Sequence, residues 1–221
     1  MYKNVFFDLD GTLTQSEFGI INSVIYSLKQ MGIEETDTQA VKRFIGPPLL
    51  KAFKEFYQMS DSDAEKATAI YREYYSAGEM FNAPLYPGIK DTLMTLHKKG
   101  HKLYVVTSKP TVYAEKIVEH FEVLKYFEGV IGPEISNKNY TKEELVRTAI
   151  DTAAQDSDID PDDYIMIGDR YFDIDGANAN GIASIGVLYG YGNRKELEEA
   201  GATYIADTAE MITKIVTEGS I

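Results

Sequence analysis

One strand-like run stands alone at the start of the chain, and its isolation constrains the fold more than any other feature. The run "YKNVFFD" is short, apolar and β-favouring. From Gln15 to about Asn82 the text that follows is helical. Ile21, Val24, Ile25 and Leu28 recur at helical spacing until Gly32. "TQAVKRFI" stops at Gly46-Pro47-Pro48, and "LLKAFKEFY" carries Leu50, Phe53, Phe56 and Tyr57 on one side. Ala67, Ile70, Tyr71 and Tyr74 continue the pattern. "TQSE" (Thr14 to Glu17) and "SDAE" (Ser62 to Glu65) have the form of capping boxes that open two of these helices.

After "APLYPG" the texture alternates. "HKLYVVT", "GVIG", "DYIMIGD", "IASIGVLYG" and "TYIAD" read as strands, with helical text between them. Thr141 with Glu144 and Asn193 with Glu196 form two further capping boxes, and Asp207 caps the last helix. Strands separated by helices of this length imply a parallel sheet covered on both faces. A lone first strand has no partner unless it joins that sheet. The fold class is therefore α/β, with residues 1–14 and 83–221 forming the sheet domain and residues 15–82 an all-helical insertion.

In an open parallel sheet, ligands bind outside the carboxyl ends of the strands. The first strand ends at Asp8, with Asp10 just beyond; the second ends at Thr107-Ser108-Lys109. "YIMIGD" ends at Asp169, with Asp173 one helical turn further on. Several carboxylates in one crevice repel one another and need a cation. All-oxygen ligation by few protein groups favours Mg²⁺, which keeps waters and takes a phosphate oxygen. An ionised Asp8 beside a bound phosphate is a nucleophile, and Asp10 is then a general acid and base. Lys142 opens a helix, where a lysine opposes the helix dipole unless both serve an anion. Lys138 competes for that role. Thr107 either binds phosphate or only ends its strand. A lysine before proline is ordinarily solvated, so Ser108 and Lys109 are expected to act mainly through their backbone N–H groups.

Composition limits the partners. Lys and Arg number 22 against 35 Asp and Glu, so the net charge of 22 − 35 = −13 opposes binding of a nucleic-acid polymer. Cysteine is absent, which excludes thiolate metal sites. No apolar run approaches a membrane span, and with the first strand coming at once no signal peptide is expected. A cytoplasmic protein, monomeric or a weak homodimer, is expected.

"DLDGT" (Asp8 to Thr12), "VVTSK" (Val105 to Lys109), the helix-start Lys142 and "GDRYFD" (Gly168 to Asp173) resemble the haloacid dehalogenase-like hydrolase superfamily. The four elements fall in the family's order and span nearly the whole chain. The resemblance implies a Rossmann-like core with a helical cap domain inserted after the first motif. It implies Asp8 as nucleophile and Asp10 as acid and base. Asp8, the Asp10 carbonyl and Asp169 would bind Mg²⁺, supported by Asp173, while Thr107 and Lys142 hold the transferring phosphoryl group. Thr12, Ser108 and Lys109 are further substrate-side candidates. "IGDRYFDIDGANANGIASIGVLYGYG" followed by "ELEEAGATYI" is similar to the phosphoglycolate phosphatase and bacterial 5′-nucleotidase branch. Arg170 departs from many relatives, where serine or threonine is common.

The implied activity is phosphomonoester hydrolysis of a small phosphorylated metabolite, a nucleoside 5′-monophosphate first and phosphoglycolate second. A phosphomutase would share the whole core. A dehalogenase needs neither the metal nor Asp10, and a silent binding protein predicts motif losses that are not found. "FIGPPL", with Gly46, is either a substrate-facing loop or a plain helix–helix turn. "YGYG" (Tyr189 to Gly192) lies at the site edge, its glycines permitting a tight turn. The cap aromatics Phe44, Phe53, Phe56, Tyr57, Tyr71, Tyr74 and Tyr75 are mostly core at helical spacing. His97, His101 and His120 have no ligand spacing.

Overall fold

The computed structural model describes residues 2–137, 140–155 and 158–219. Among them six strands form one parallel sheet: β1 Asn4–Phe7, β2 Lys102–Val106, β3 Phe127–Ile131, β4 Tyr164–Gly168, β5 Ala183–Val187 and β6 Tyr204–Ala206. Their order is β3-β2-β1-β4-β5-β6. The isolated first strand thus lies at the centre, between β2 and β4, and the order reverses beside it. Every residue of β1 is buried, as a strand paired on both edges and covered on both faces requires.

The chain divides into two compact units, Met1–Thr14 with Leu85–Ile221, and Gln15–Pro84. In the first, six helices accompany the sheet: α5 Ile89–Lys98, α6 Thr111–His120, α7 Lys142–Ala154, α8 Tyr171–Ala179, α9 Arg194–Glu199 and α10 Ala209–Glu218. The helices α1 Glu17–Gln30, α2 Thr38–Lys42, α3 Leu49–Tyr57 and α4 Asp61–Ser76 belong to the second. No helix among the described residues is long and apolar enough to cross a membrane.

Strand alternation sends Phe6, Tyr104, Tyr164 and Met166 to one face, where they meet Val146, Ala149 and Ile150 of α7 and Ala177 of α8. Their neighbours Val5, Phe7, Leu103, Val105, Ile165 and Ile167 turn to the other face and are fully buried. Outside the first cluster, Ile89, Leu93 and Leu96 of α5 and Ile212 and Ile215 of α10 are also buried. Thr92 Oγ1 ties these two helices by donating to the Ala209 carbonyl at 2.9 Å.

The helical unit has its own core. Phe53, Val24, Leu28, Val41, Ala64 and Ala67 are fully buried, and Phe44, Tyr71 and Tyr75 nearly so. Phe44 packs edge-on against Phe53 at 4.9 Å and Phe56 at 5.3 Å. Gly46 stands after α2 at a φ of +107°, a conformation that favours glycine over residues with a side chain.

Three helix starts differ from the sequence reading. Thr14 does not cap α1: its hydroxyl donates to the Leu9 carbonyl at 3.3 Å, and Ser16 takes the N-cap position. For α4 the cap is Ser60, whose hydroxyl accepts from Asp63 N at 3.2 Å, so Ser62 falls inside the helix. Thr208, not Asp207, holds the N-cap position of α10, and Asp207 instead pairs with Arg194 at 3.4 Å. A short polar side chain caps only where the backbone turn leaves it facing free N–H groups.

Candidate active site

The strand register builds the site. Phe7 pairs with Val105 on one side and Ile167 on the other. Asp8 is therefore level with Val106 and Gly168, and Thr107 and Asp169 each follow one residue later. Asp8 N–H still donates to the Ile167 carbonyl at 2.9 Å, so the carboxylate leaves the sheet at a fixed point. Beyond it, the Leu9 carbonyl accepts the N–H groups of Leu13 and Thr14 at 2.9 Å. This closes a tight loop in which Leu9 and Leu13 are buried while Asp8 and Asp10 keep partial exposure. Gly11, at φ +84°, makes the turn.

Lys142 joins the separate strands. Its helix is opened by the Thr141–Glu144 capping box, with Thr141 Oγ1 accepting from Glu144 N at 3.3 Å and Glu144 Oε2 from Thr141 N at 3.0 Å. From that start the ammonium reaches Asp8 Oδ1 at 3.0 Å, Asp173 Oδ1 at 2.7 Å and the Val106 carbonyl at 2.8 Å. Burial lowers a lysine pKa, but the charges of Asp173 and Asp8 outweigh it, so Lys142 is held as a cation above its ordinary value. The competing Lys138 lies outside the described residues.

Asp169 is fully buried and sits among backbone atoms. Its Oδ1 accepts from the Thr12 hydroxyl at 3.2 Å and its Oδ2 from Tyr191 N at 2.8 Å. The sequence reading missed what "YGYG" does here. A Cβ on Gly190 would collide with Asp169 Cβ and the Gly11 carbonyl oxygen, and one on Gly192 with the Asp169 carbonyl oxygen. Neither glycine lies in the left-handed region, so space and not turn geometry requires them. Tyr189 adds a bond from its hydroxyl to the Thr12 carbonyl at 3.1 Å. Burial, then the charge of Asp169 and the neighbouring Tyr86, hold that phenol well above its usual pKa.

Asp173 does not stand at the N-cap of α8. It is three residues into the capping turn and its Oδ2 accepts from Arg170 N at 3.1 Å. Arg170, the departure from many relatives, pairs with Glu196 Oε1 at 2.7 Å. The same oxygen accepts from Tyr171 N at 3.0 Å. Glu196 thus serves α8, while Asn193 alone caps α9 by accepting from Glu196 N at 3.0 Å.

Thr107 is buried, and its Oγ1 accepts from Lys109 N at 3.2 Å, which leaves the hydroxyl hydrogen to donate elsewhere. Ser108 is half-buried, its carbonyl accepting from the Tyr140 hydroxyl at 2.9 Å. Lys109 contradicts the expectation of a solvated lysine. It is buried, and its Nζ lies 2.8 Å from Asp10 Oδ2. Gly46 belongs to the helical unit and is described there.

Carboxylate oxygens of Asp8, Asp169 and Asp173 lie within 4.8 Å of one another. Burial, then the charges of Asp173 and Asp8, push the Asp169 pKa well above the carboxylate range. Burial raises Asp173 to about 6; the Asp8 charge adds to that rise, and Lys142 opposes it. One lysine does not neutralise three carboxylates. Three hard oxygen donors in a buried, electron-rich crevice fit a small divalent cation such as Mg²⁺.

The haloacid dehalogenase-like hydrolase family model matches residues 5–187. A Pseudomonas aeruginosa protein named 5′-nucleotidase is 40% identical over 211 residues, covering 95% of this chain and 94% of that one. The tyrosine-protein kinase PtkA of Mycobacterium tuberculosis is 33% identical, over 93% of this chain and 68% of its own. A Pseudomonas fluorescens phosphoglycolate phosphatase is 27% identical, over 92% and 75%. The crystal structure of a predicted phosphatase from Clostridium acetobutylicum superposes with a TM-score of 0.91 at 42% identity, covering 99% of both chains. With four motifs gathered at one sheet edge and a family match over most of its length, the chain belongs to the haloacid dehalogenase-like hydrolase family, in the branch with relatives named 5′-nucleotidase and phosphoglycolate phosphatase.

Proposed function

We propose that the protein is a Mg²⁺-dependent phosphomonoesterase that transfers the phosphoryl group of a small organic phosphate to Asp8 and then to water. The observation that carries this reading is the meeting of Asp8, Asp169 and Asp173 within 4.8 Å, with the Lys142 ammonium 3.0 Å from Asp8. Asp8, the Asp10 carbonyl and Asp169 would hold Mg²⁺, with Asp173 in support. When bound, the cation supplies positive charge to the phosphoryl oxygens and to the carboxylates around them.

The chain's own residues supply the rest. Asp8 attacks phosphorus, the new bond joins its carboxylate oxygen to phosphorus, and the ester oxygen departs. Lys142 and the Thr107 hydroxyl stabilise the oxygens on which charge develops. Asp10 gives its proton to the departing oxygen, then takes one from the water that hydrolyses the aspartyl-phosphate. The helical unit is the cap domain of this reading, and Gly46 is its substrate-side candidate.

The substrate class we favour is a nucleoside 5′-monophosphate, supported by the 40% identity to the P. aeruginosa 5′-nucleotidase. Phosphoglycolate is the second reading, supported by the more distant relatives of that name. Turnover of p-nitrophenyl phosphate with and without Mg²⁺ tests the reaction, with Asp8→Asn as control. Release that does not depend on Mg²⁺, or that survives in Asp8→Asn, refutes it. A panel of phosphorylated metabolites ranked by kcat/KM tests the substrate, and sugar phosphates outrunning every nucleotide would overturn the preference.

A further inference from the structure

Lys109 and Asp10 come from neighbouring strand ends, and what fixes Lys109 is unusually complete. Its N–H donates to Thr107 Oγ1 at 3.2 Å, and the preceding carbonyl, of Ser108, accepts from the Tyr140 hydroxyl at 2.9 Å. On its other side the bare Cα of Gly132 admits the Lys109 carbonyl, since a Cβ there would collide with that oxygen. The side chain is 6% exposed and ends 2.8 Å from Asp10 Oδ2. The other oxygen of the same carboxylate, Asp10 Oδ1, is buried and has no hydrogen-bond partner. A buried carboxylate oxygen without a partner is costly unless a ligand supplies one.

We propose that Lys109 is a positioning residue for proton transfer: it holds Asp10 by Oδ2 so that Oδ1 alone faces the oxygen of the leaving group and, later, the attacking water. The inference rests on the phosphomonoesterase reading above. It gives the Lys109 side chain a role on the leaving-group side, in place of a solvated lysine that serves the substrate mainly through its backbone N–H. The balance of the step is simple. Asp10 Oδ1 gives its proton to the departing oxygen as the phosphorus–oxygen bond breaks, and takes a proton from water in the second half. Lys109 keeps all of its protons throughout.

A lysine that binds the phosphoryl group serves every substrate alike. One that orients the proton donor matters in proportion to how badly the leaving group needs a proton. The experiment is a leaving-group series, from p-nitrophenyl phosphate through phenyl phosphate to an alkyl monoester, read as kcat/KM for wild type, Lys109→Met, Lys109→Arg, Asp10→Asn and the double variant. In Lys109→Met, kcat/KM for the alkyl ester should fall about 10–100-fold, a share of what a general acid contributes, while the nitrophenyl ester loses less than about threefold. The double variant should lose no more than Asp10→Asn alone, because the two residues act as one unit. Lys109→Arg keeps a cation at Asp10 and should recover most of the loss.

An equal loss along the series, or additive losses in the double variant, overturns the proposal. So does a rise in KM with kcat unchanged, which assigns Lys109 to substrate binding. If Lys109→Met does not fold, Lys109→Gln is read in its place, with circular dichroism as the check. Absence of Mg²⁺-dependent turnover in the wild type is a separate result that removes the phosphatase reading itself.

Discussion

The Lys142 ammonium lies 2.7 Å from Asp173, and the two residues come from the first turns of separate helices, α7 before β4 in the chain and α8 after it. Each is buried, and each is tolerated because of the other. Lys142→Met should therefore destabilise the protein by about 3–5 kcal/mol, the usual effect of stranding one half of a buried pair. Added Mg²⁺ should restore part of the melting temperature by neutralising Asp173 and Asp8, while kcat stays about 10²–10³-fold down for want of the phosphoryl-stabilising charge. Calorimetry and steady-state kinetics on the same samples check both halves. A variant with wild-type kcat would remove Lys142 from the chemistry.

The raised carboxylates set a pH dependence with a definite sign. Asp173 titrates at about 6 in the fold, pushed up by burial against the pull of Lys142, and Asp169 is raised in the same direction. An unfolded aspartate titrates near 3.9, so between about pH 4 and 6 the native state binds more protons than the unfolded one. This contribution to stability is full below about pH 4 and is lost as pH rises through about 6. Mg²⁺ favours the ionised carboxylates and offsets the loss. The Mg²⁺-induced rise in melting temperature should accordingly be larger near pH 7.5 than near pH 5. Groups shifted the other way, such as Glu35 beneath the Tyr57 hydroxyl, act alike with and without the ion, so the difference isolates the site. A shift independent of pH would contradict the assignment of Asp169 and Asp173.

Gly190 lies directly against the Asp169 side chain. Gly190→Ala would drive a methyl group into Asp169 Cβ and the Gly11 carbonyl oxygen. Overpacking of this kind costs about 1–3 kcal/mol. The strain falls on a candidate metal ligand, so Mg²⁺ affinity measured by calorimetric titration should weaken along with stability. Loss of stability with unchanged affinity would show that the loop yields and Asp169 does not.

Local patterns carried most of the fold. A run such as "YIMIGD" is strand-like by its own composition, and its last residue is a strand end in any sheet that contains it. The Thr141–Glu144 box is a four-residue event, so the helix start that aims Lys142 was legible without tertiary information. Asp8, Asp10, Asp169 and Asp173 are legible as candidates because each falls at or just past such an end. Where a second partner competes, local reading failed. Thr14 offers the same hydroxyl to a helix or to Leu9, and the loop geometry chose Leu9.

What only the tertiary structure decided is which groups fill the space between strand ends. "SKP" reads as a solvated lysine, and its burial on Asp10 depends on a register set by two whole strands. The glycines of "YGYG" look like turn residues, yet their positions are dictated by the volume of Asp169, far away in sequence. Periodicity and capping are properties of neighbours along the chain and can be read from it. Steric exclusion and ion pairing depend on distance through space, and those distances exist only once the sheet has formed.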